Sequence, residues 1–295
     1  MNTNPISSHT RYVIVSPVRD EEAYLENTIR SVVGQTVPPL EWVIVNDGSR
    51  DATAHLINSA AAIYPWIKPI HQPDRGRRLP GAGVMEAFYR GYEALSVNDW
   101  EFIAKLDGDV GLQPNYFEQC FARMNENSKL GMCGGVMYRI DTGQEVRERH
   151  PSLHVRGPIK LYKRACWDAI GGLIRAPGWD TVDEMQAHRL GWHTRSFPEL
   201  KVIHYRPTGA AEGAWRDSVK LGKADYVSGY HPLFMAAKCF RRIFKWPFLV
   251  VAVGQGYGFA KAYWDQIPQV ADRALIDYIR RQQLRRLLHL KSIWS

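Results

Sequence analysis

Residues 102–109 read Phe-Ile-Ala-Lys-Leu-Asp-Gly-Asp, a short apolar run that opens at once into two carboxylates around a glycine. A buried parallel strand has this composition, and in an open α/β sheet the turn after such a strand is where ligands gather. The same design recurs upstream. Residues 12–16 form an apolar run ended by Pro17, which leads into Val18-Arg19-Asp20-Glu21. Residues 42–45 lead into Asn46-Asp47-Gly48-Ser49, and residues 68–71 precede a basic, glycine-rich loop over residues 75–83. Between these runs, residues 22–33, 52–62 and 84–95 carry apolar positions at helical spacing, and Gly34 with Pro38-Pro39 stops the first of them. Alternating short strands and helices predict an α/β fold with a doubly wound, mostly parallel sheet.

The composition agrees with an ordinary folded protein. Of 295 residues 45% are hydrophobic and 23% charged, enough for one sizeable α/β core but too few for two full catalytic domains. Cys120, Cys133, Cys166 and Cys239 lack CxxC pairing and zinc-ligand spacing, so free thiols in a reducing compartment are expected. Residues 1–10 are polar, lack a signal-peptide pattern and are expected to be flexible. The uncharged stretch 246–260 is shorter than the roughly 20 residues a spanning helix needs. A formal charge of +8 favours anionic partners. Nucleic acid is disfavoured, because carboxylates clustered at strand ends repel a phosphate backbone.

Each strand-end turn carries candidate chemistry. Asp107 and Asp109 offer oxygen ligands on a short loop, which suits Mg²⁺ or Mn²⁺ bridging to diphosphate oxygens. Capping of the next helix accounts for Ser49 and Asp51 but not for Asp47, which can accept hydrogen bonds from a base or ribose. Helix initiation needs one acidic residue, whereas the 17–21 turn has a charged cluster that includes Arg19 and Glu21. Arg75, Gly76 and Arg78, with Gly81 and Gly83 before a helix, combine cations with backbone N–H groups as a phosphate cradle. Lys105 joins them as a donor-site residue at the end of its strand.

In this order the turns resemble family 2 inverting glycosyltransferases of the GT-A fold. Pro17 and Glu21 match the family's Pro-x-x-Asn-Glu turn, with Asp20 for the Asn; Gln35-Thr36, Asn46-Asp47-Gly48-Ser49 and Asp107-Gly108-Asp109 follow in family order. The resemblance implies that Pro17, Val18, Glu21 and Asp47 contact the nucleoside, and that Asp107 and Asp109 serve nucleotide and metal. It implies His204 as a third metal or diphosphate contact, with Arg206 nearby on the acceptor side. The family's acceptor-side Glu-Asp pair matches Trp179-Asp180-Thr181-Val182-Asp183-Glu184, making Asp183 the expected catalytic base, with Glu184 and Asp180 as rivals. Asp183 and Glu184 are expected to begin a helix, and Trp179 is the expected acceptor contact.

The organisation expected is thus a nucleotide-sugar-binding half over residues 11–114, a smaller acceptor-binding half over 115–214, and a helical, basic extension over 215–295. Partners would be a nucleotide-sugar donor, UDP favoured, and a saccharide or lipid-linked acceptor. The basic segment 271–294 interleaves arginines with Leu275, Leu284, Leu287 and Trp294, a pattern for a helix lying on an anionic bilayer or for a homodimer contact. A cytoplasmic protein, peripheral on the inner face of the membrane, is the resulting expectation. A nucleotidyltransferase is disfavoured because the glycine-rich, lysine-containing loop after the first strand is missing.

Overall fold

The computed structural model describes residues 10–76, 82–141, 143–206, 213–244 and 248–294; Arg78 of the basic loop lies outside them. The predicted alternation is present. β1 (Tyr12–Val18), α1 (Leu25–Val33), β2 (Glu41–Asp47), α2 (Thr53–Ile63), β3 (Ile67–Gln72), α3 (Ala82–Glu93) and β4 (Phe102–Leu106) follow in sequence. Next come β5 (Val110–Leu112), α4 (Tyr116–Glu126), β6 (Leu130–Asp141), β7 (Gln144–Arg147), β8 (Ile159–Lys163), α5 (Arg164–Ile170), α6 (Trp179–Arg189) and β9 (His193–His204). The C-terminal part is helical: α7 (Ala214–Val227), α8 (Pro232–Arg242), α9 (Val250–Trp264) and α10 (Arg273–Leu287).

The strands form one sheet in the order β3-β2-β1-β4-β8-β6-β9-β5, with β7 paired to β6. β3, β2, β1 and β4 are parallel, β8 is antiparallel to both its neighbours, and β6 and β9 are parallel again. Pro17 falls in β1 beyond the part that pairs with β4, so its missing N–H costs that ladder nothing. The sheet must curl. Only Asp107, Gly108 and Asp109 separate β4 from β5, and the four steps from Leu106 to Val110 reach at most about 14 Å. Along the flat sheet the same two strands would lie about 19 Å apart, four spacings of ~4.8 Å. The short acidic turn therefore bridges the mouth of the curl.

Apolar residues alternate between the two faces of the central strands. Tyr12, Ile14, Trp42 and Ile44 pack with Leu25, Ile57, Phe117 and Phe121, whereas Val13, Val15 and Ile103 pack with Met85, Phe88, Trp167 and Trp179. Cys120, Cys133 and Cys166 are buried and Cys239 half-buried, all as thiols. The expected halves 11–114 and 115–214 share this single sheet.

Behind α6 the chain closes with α10, whose Leu275 and Ile279 pack on Val182 and Met185. Those inward residues are not available to a bilayer. α7 and α9 approach closely because glycines face each other's backbones. A Cβ on Gly222 would sit 2.0 Å from the Gln255 carbonyl oxygen, and one on Gly258 would sit 2.1 Å from that of Val219. Among the described residues no helix is long and apolar enough to cross a membrane.

Candidate active site

A cavity of about 310 Å³ opens where β1, β2 and β4 end. Pro17, Val18, Arg19 and Glu21 line it from β1, Asp47 from β2, and Asp107, Gly108 and Asp109 from the acidic turn. Gly83, Val84 and Ala87 of α3 form an apolar wall, and Arg206 and Lys220 bring positive charge. The sequence points to all the strand-end residues but not to Lys220, which arrives from α7 with no local motif to announce it.

The turns are laced to one another. The backbone N–H groups of Asp20, Glu21 and Glu22 donate to Ser49 Oγ, Thr53 Oγ1 and Asp51 Oδ2, while Arg50 and Ala52 N–H groups donate back to Asp20 and Glu22. Asp20 holds a left-handed φ of 54° within this clasp. Ser49 and Asp51 thereby join two loops, and Asp51 Oδ1 also accepts from the Thr53 N–H (3.0 Å) that opens α2, the capping role expected of it. The acidic turn is held from below by α1: Thr28 Oγ1 donates to the Gly108 carbonyl (2.8 Å) and accepts from Val110 N–H (3.1 Å). A Cβ on Gly108 would meet Val18 Cγ1 at 2.8 Å, so glycine is needed for this close packing.

Several of the expected donor residues are engaged with one another. Arg75 pairs with Asp47 and with Glu86 (2.6 Å), so it screens Asp47, and neither Arg75 nor Gly76 lines the cavity. Arg19 donates to Asp74 (2.7 Å) and to the Asp47 carbonyl. Lys105 is buried, pairs with Asp107 and donates to the Gly157 carbonyl (2.8 Å). It fixes Asp107 and does not itself line the cavity.

Asp109 is the least satisfied of these groups. Its carboxylate is buried with Oδ1 lacking a hydrogen-bond partner, while Oδ2 lies 3.6 Å from His204 Nε2 and 3.8 Å from Arg206 Nε. Register brings them together, because Val110 of β5 pairs with His204 of β9. Burial alone would lower the His204 pKa, but hydrogen bonding to Asp109 and Glu148 raises it to about 9. Arg206 also pairs with Glu21 and donates to the Asp20 carbonyl. Among the described residues no cluster of three or more acidic, His or Cys side chains is preformed for a metal. Asp109, with its orphaned carboxylate oxygen, and His204, once a cation displaces the proton that Asp109 and Glu148 favour there, nonetheless fit Mg²⁺ or Mn²⁺, which complete their shells with water and substrate phosphate.

The acceptor side differs from expectation in its helix start. α6 begins at Trp179, four residues before Asp183, because Gly178 takes a left-handed φ of 86° and turns the chain into the helix there. Asp180 thus falls in the first turn, half-buried, while Asp183 and Glu184 point into the core at 2% and 1% exposure. Both Asp183 oxygens accept from Lys160 Nζ (2.9 Å), and Oδ2 also accepts from Tyr162 Oη (2.6 Å). Burial pushes the Asp183 carboxyl up to about 6, against the pull of Lys160. Glu184 accepts from Lys160 (3.1 Å), contacts His154 (2.9 Å) and accepts from Val155 N–H (2.7 Å). Burial would raise its pKa, yet His154 and Lys160 outweigh that and lower it.

Lys160 and Lys105 are direct cross-strand partners on β8 and β4, a like-charge pair that needs compensation. The carboxylates supply it, and the buried Trp179 ring adds its π face, with Lys105 Nζ 5.2 Å and Lys160 Nζ 5.5 Å from its centroid. Trp179 is therefore packed in the core and does not line the cavity. Asp180 lies differently: its Oδ2 is 3.6 Å from where a Gly157 Cβ would be. The adjoining Pro158 carbonyl accepts the Asp107 N–H. Asp180 does not line the cavity either, but it lies next to the 157–158 segment that holds Asp107.

Comparison with known proteins agrees with this architecture. The model of "Glycosyl transferase family 2" matches residues 13–179. A Bacillus subtilis (strain 168) protein named "Putative glycosyltransferase EpsH" is 28% identical over 181 residues, covering 60% of this chain and 49% of that protein. The Pasteurella multocida (strain Pm70) chondroitin synthase is 29% identical over 36% of this chain and 10% of its own length. The chain spans about half or less of the length of these curated relatives. Among solved structures, the mannosyltransferase PcManGT of Pyrobaculum calidifontis, in complex with GDP-Man and Mn²⁺, superposes with a TM-score of 0.55 at 14% identity, covering 96% of this chain and 76% of that one. S. aureus TarS 1–349 in complex with UDP-GlcNAc gives 0.55 at 14% identity, with 95% and 86% covered. These likenesses establish the GT-A fold.

Proposed function

The chain belongs to glycosyl transferase family 2, and from that we propose that it moves one sugar from a nucleoside-diphosphate sugar, UDP favoured, to a hydroxyl of a saccharide or lipid-linked acceptor with inversion. The observation that carries this reading is the convergence of three strand-end turns on one cavity with Asp47, Asp107 and Asp109 beside Arg206 and Lys220.

In this reading Pro17, Val18 and the α3 wall bind the nucleoside, with Asp47 toward its polar edge. Arg206 and Lys220 meet the diphosphate, where negative charge develops as the glycosidic bond to the leaving group breaks. Mn²⁺ or Mg²⁺, held by Asp109 and His204 with Asp107 beside them, would supply further charge neutralisation at that diphosphate. Asp180 is the proposed base, in place of Asp183. It is the partly exposed carboxylate of α6, whereas Asp183 is buried under Lys160 and Tyr162. It accepts the proton of the acceptor hydroxyl as that oxygen attacks the anomeric carbon from the face opposite the diphosphate. Lys160 also donates to the Asp180 carbonyl (2.6 Å), tying the first turn of α6 to β8.

Incubation with a panel of nucleotide sugars and Mn²⁺, with release of free nucleoside diphosphate as readout, tests the proposal. Release from one nucleotide class, stimulated by acceptor, is expected; absence of release from every donor, or formation of a nucleotide sugar from nucleoside triphosphate, would overturn it.

A further inference from the structure

The apolar surface of this protein is concentrated away from the cavity, on α8, α9 and the chain between them. Leu233 and Phe240 fall on one stripe of α8, continued past its end by Phe244, which is 74% exposed. On α9 the stripe is Val253, Tyr257 and Trp264, within about 40° around the helix axis, and Trp264 is 86% exposed. Tyr263 extends it. The opposite side of α9 is already used, since Gly254, Gln255 and Gly258 pack on α7. The outward stripes are too large to be ordinary scattered surface residues.

Charge identifies what covers them. From Pro232 to Asp265 the sequence holds five basic residues and one acidic residue. Lys261 pairs with Asp265 and Lys238 with Asp225, while Arg241 and Arg242 stand among the aromatics with, among the described residues, no acidic partner in their own segment. Protein interface cores are depleted in lysine, whereas apolar and aromatic side chains rimmed by Lys and Arg are what an anionic lipid surface selects. α9, with 15 residues, is about 22 Å long, short of the ~30 Å hydrocarbon core, so it would lie in the interface plane. We propose that the joint outward face of α8 and α9 docks this protein on an anionic bilayer. α10, where the sequence places the main membrane contact with the uncharged stretch 246–260 beside it, is packed against α6 instead. α7 lies between the docking face and the cavity, giving Lys220 to one and packing Gly222 against the other.

The test uses the full chain and does not read activity. Co-sedimentation is measured with phosphatidylcholine vesicles and with vesicles that also contain phosphatidylglycerol. Wild type is expected to pellet with the anionic vesicles, less so at high salt. Phe240→Ser, Phe244→Ser and Trp264→Ser combined should weaken binding about tenfold or more, with the thermal melt unchanged because these side chains are exposed. Arg241→Gln with Lys261→Gln should remove most of the salt-sensitive part, again roughly tenfold. Brominated lipid should quench wild-type indole fluorescence, and Trp264→Phe should lose that quenching. Wild type left in the supernatant, a triple variant that pellets equally well, or a wild-type dimer that the triple variant dissolves with no vesicle binding would each overturn the proposal.

Discussion

At the scale of single residues, the three carboxylates of α6 separate by environment. Asp180→Asn should reduce turnover about a hundredfold or more while the melting temperature stays at the wild-type value, because a half-buried side chain is changed isosterically. Asp183→Ala should instead cost roughly 3–5 kcal/mol of stability by leaving Lys160 buried with one carboxylate fewer, measured by denaturant unfolding. Equal activity in Asp180→Asn would return the base to another residue. For the metal assignment, Asp109→Ala should abolish transfer without destabilising the fold, because the lost carboxylate has an orphaned buried oxygen. Calorimetric titration of Mn²⁺ with nucleoside diphosphate checks this independently of turnover. The sequence made Asp107 and Asp109 legible because a short apolar run ends at them. The different burial of Asp180 and Asp183, on which the proposed choice of base rests, was hidden, because it depends on the backbone of Gly178 and on a lysine in β8.

At the scale of elements, the site depends on helices that never touch the cavity. α1 holds the acidic turn through one hydroxyl, so Thr28→Val leaves the Gly108 carbonyl and the Val110 N–H without that partner. A loss of about 1–3 kcal/mol is expected, together with weaker nucleotide binding by thermal shift. The His154 contact to α6 carries a pH signature. Burial would lower the His154 pKa, but Glu184 raises it above the ordinary 6.5. A raised folded-state value means that this contribution is fully present below about pH 6.5 and is lost as pH climbs through the folded-state value. Thermal melts across that range should therefore find His154→Gln more destabilised at about pH 5.5 than at about pH 9. Strand and helix positions in residues 12–106 were readable because their periodicity is local. The antiparallel insertion of β8 beside β4 was not, since pairing across about fifty residues leaves no local trace.

At the scale of the molecule, the C-terminal helices serve two purposes that the sequence had merged. α10 closes the core behind α6, so removing the chain after Val270 should lower stability by several kcal/mol through loss of Leu275, Ile276 and Ile279 burial, read by thermal unfolding. The proposed bilayer contact lies on α8 and α9; the sequence offered the uncharged stretch 246–260 only as a companion to α10, because the arginines of α10 are more conspicuous than the spacing of Phe240, Phe244 and Trp264. Lys220 belongs to this scale too, since only the packing of α7 over the cavity gives it a place in the site.

The pairing of β4 with β8 also governs how the chain is made. β4 leaves the ribosome with β1 to receive it, yet its other edge must wait until Ile159–Lys163 has been synthesised. During that interval a nascent chain exposes an apolar strand edge in the middle of its future core, the moment at which chaperone capture or aggregation competes with folding. Slow translation across residues 107–158 should therefore lower the yield of native protein more than a pause placed after Lys163.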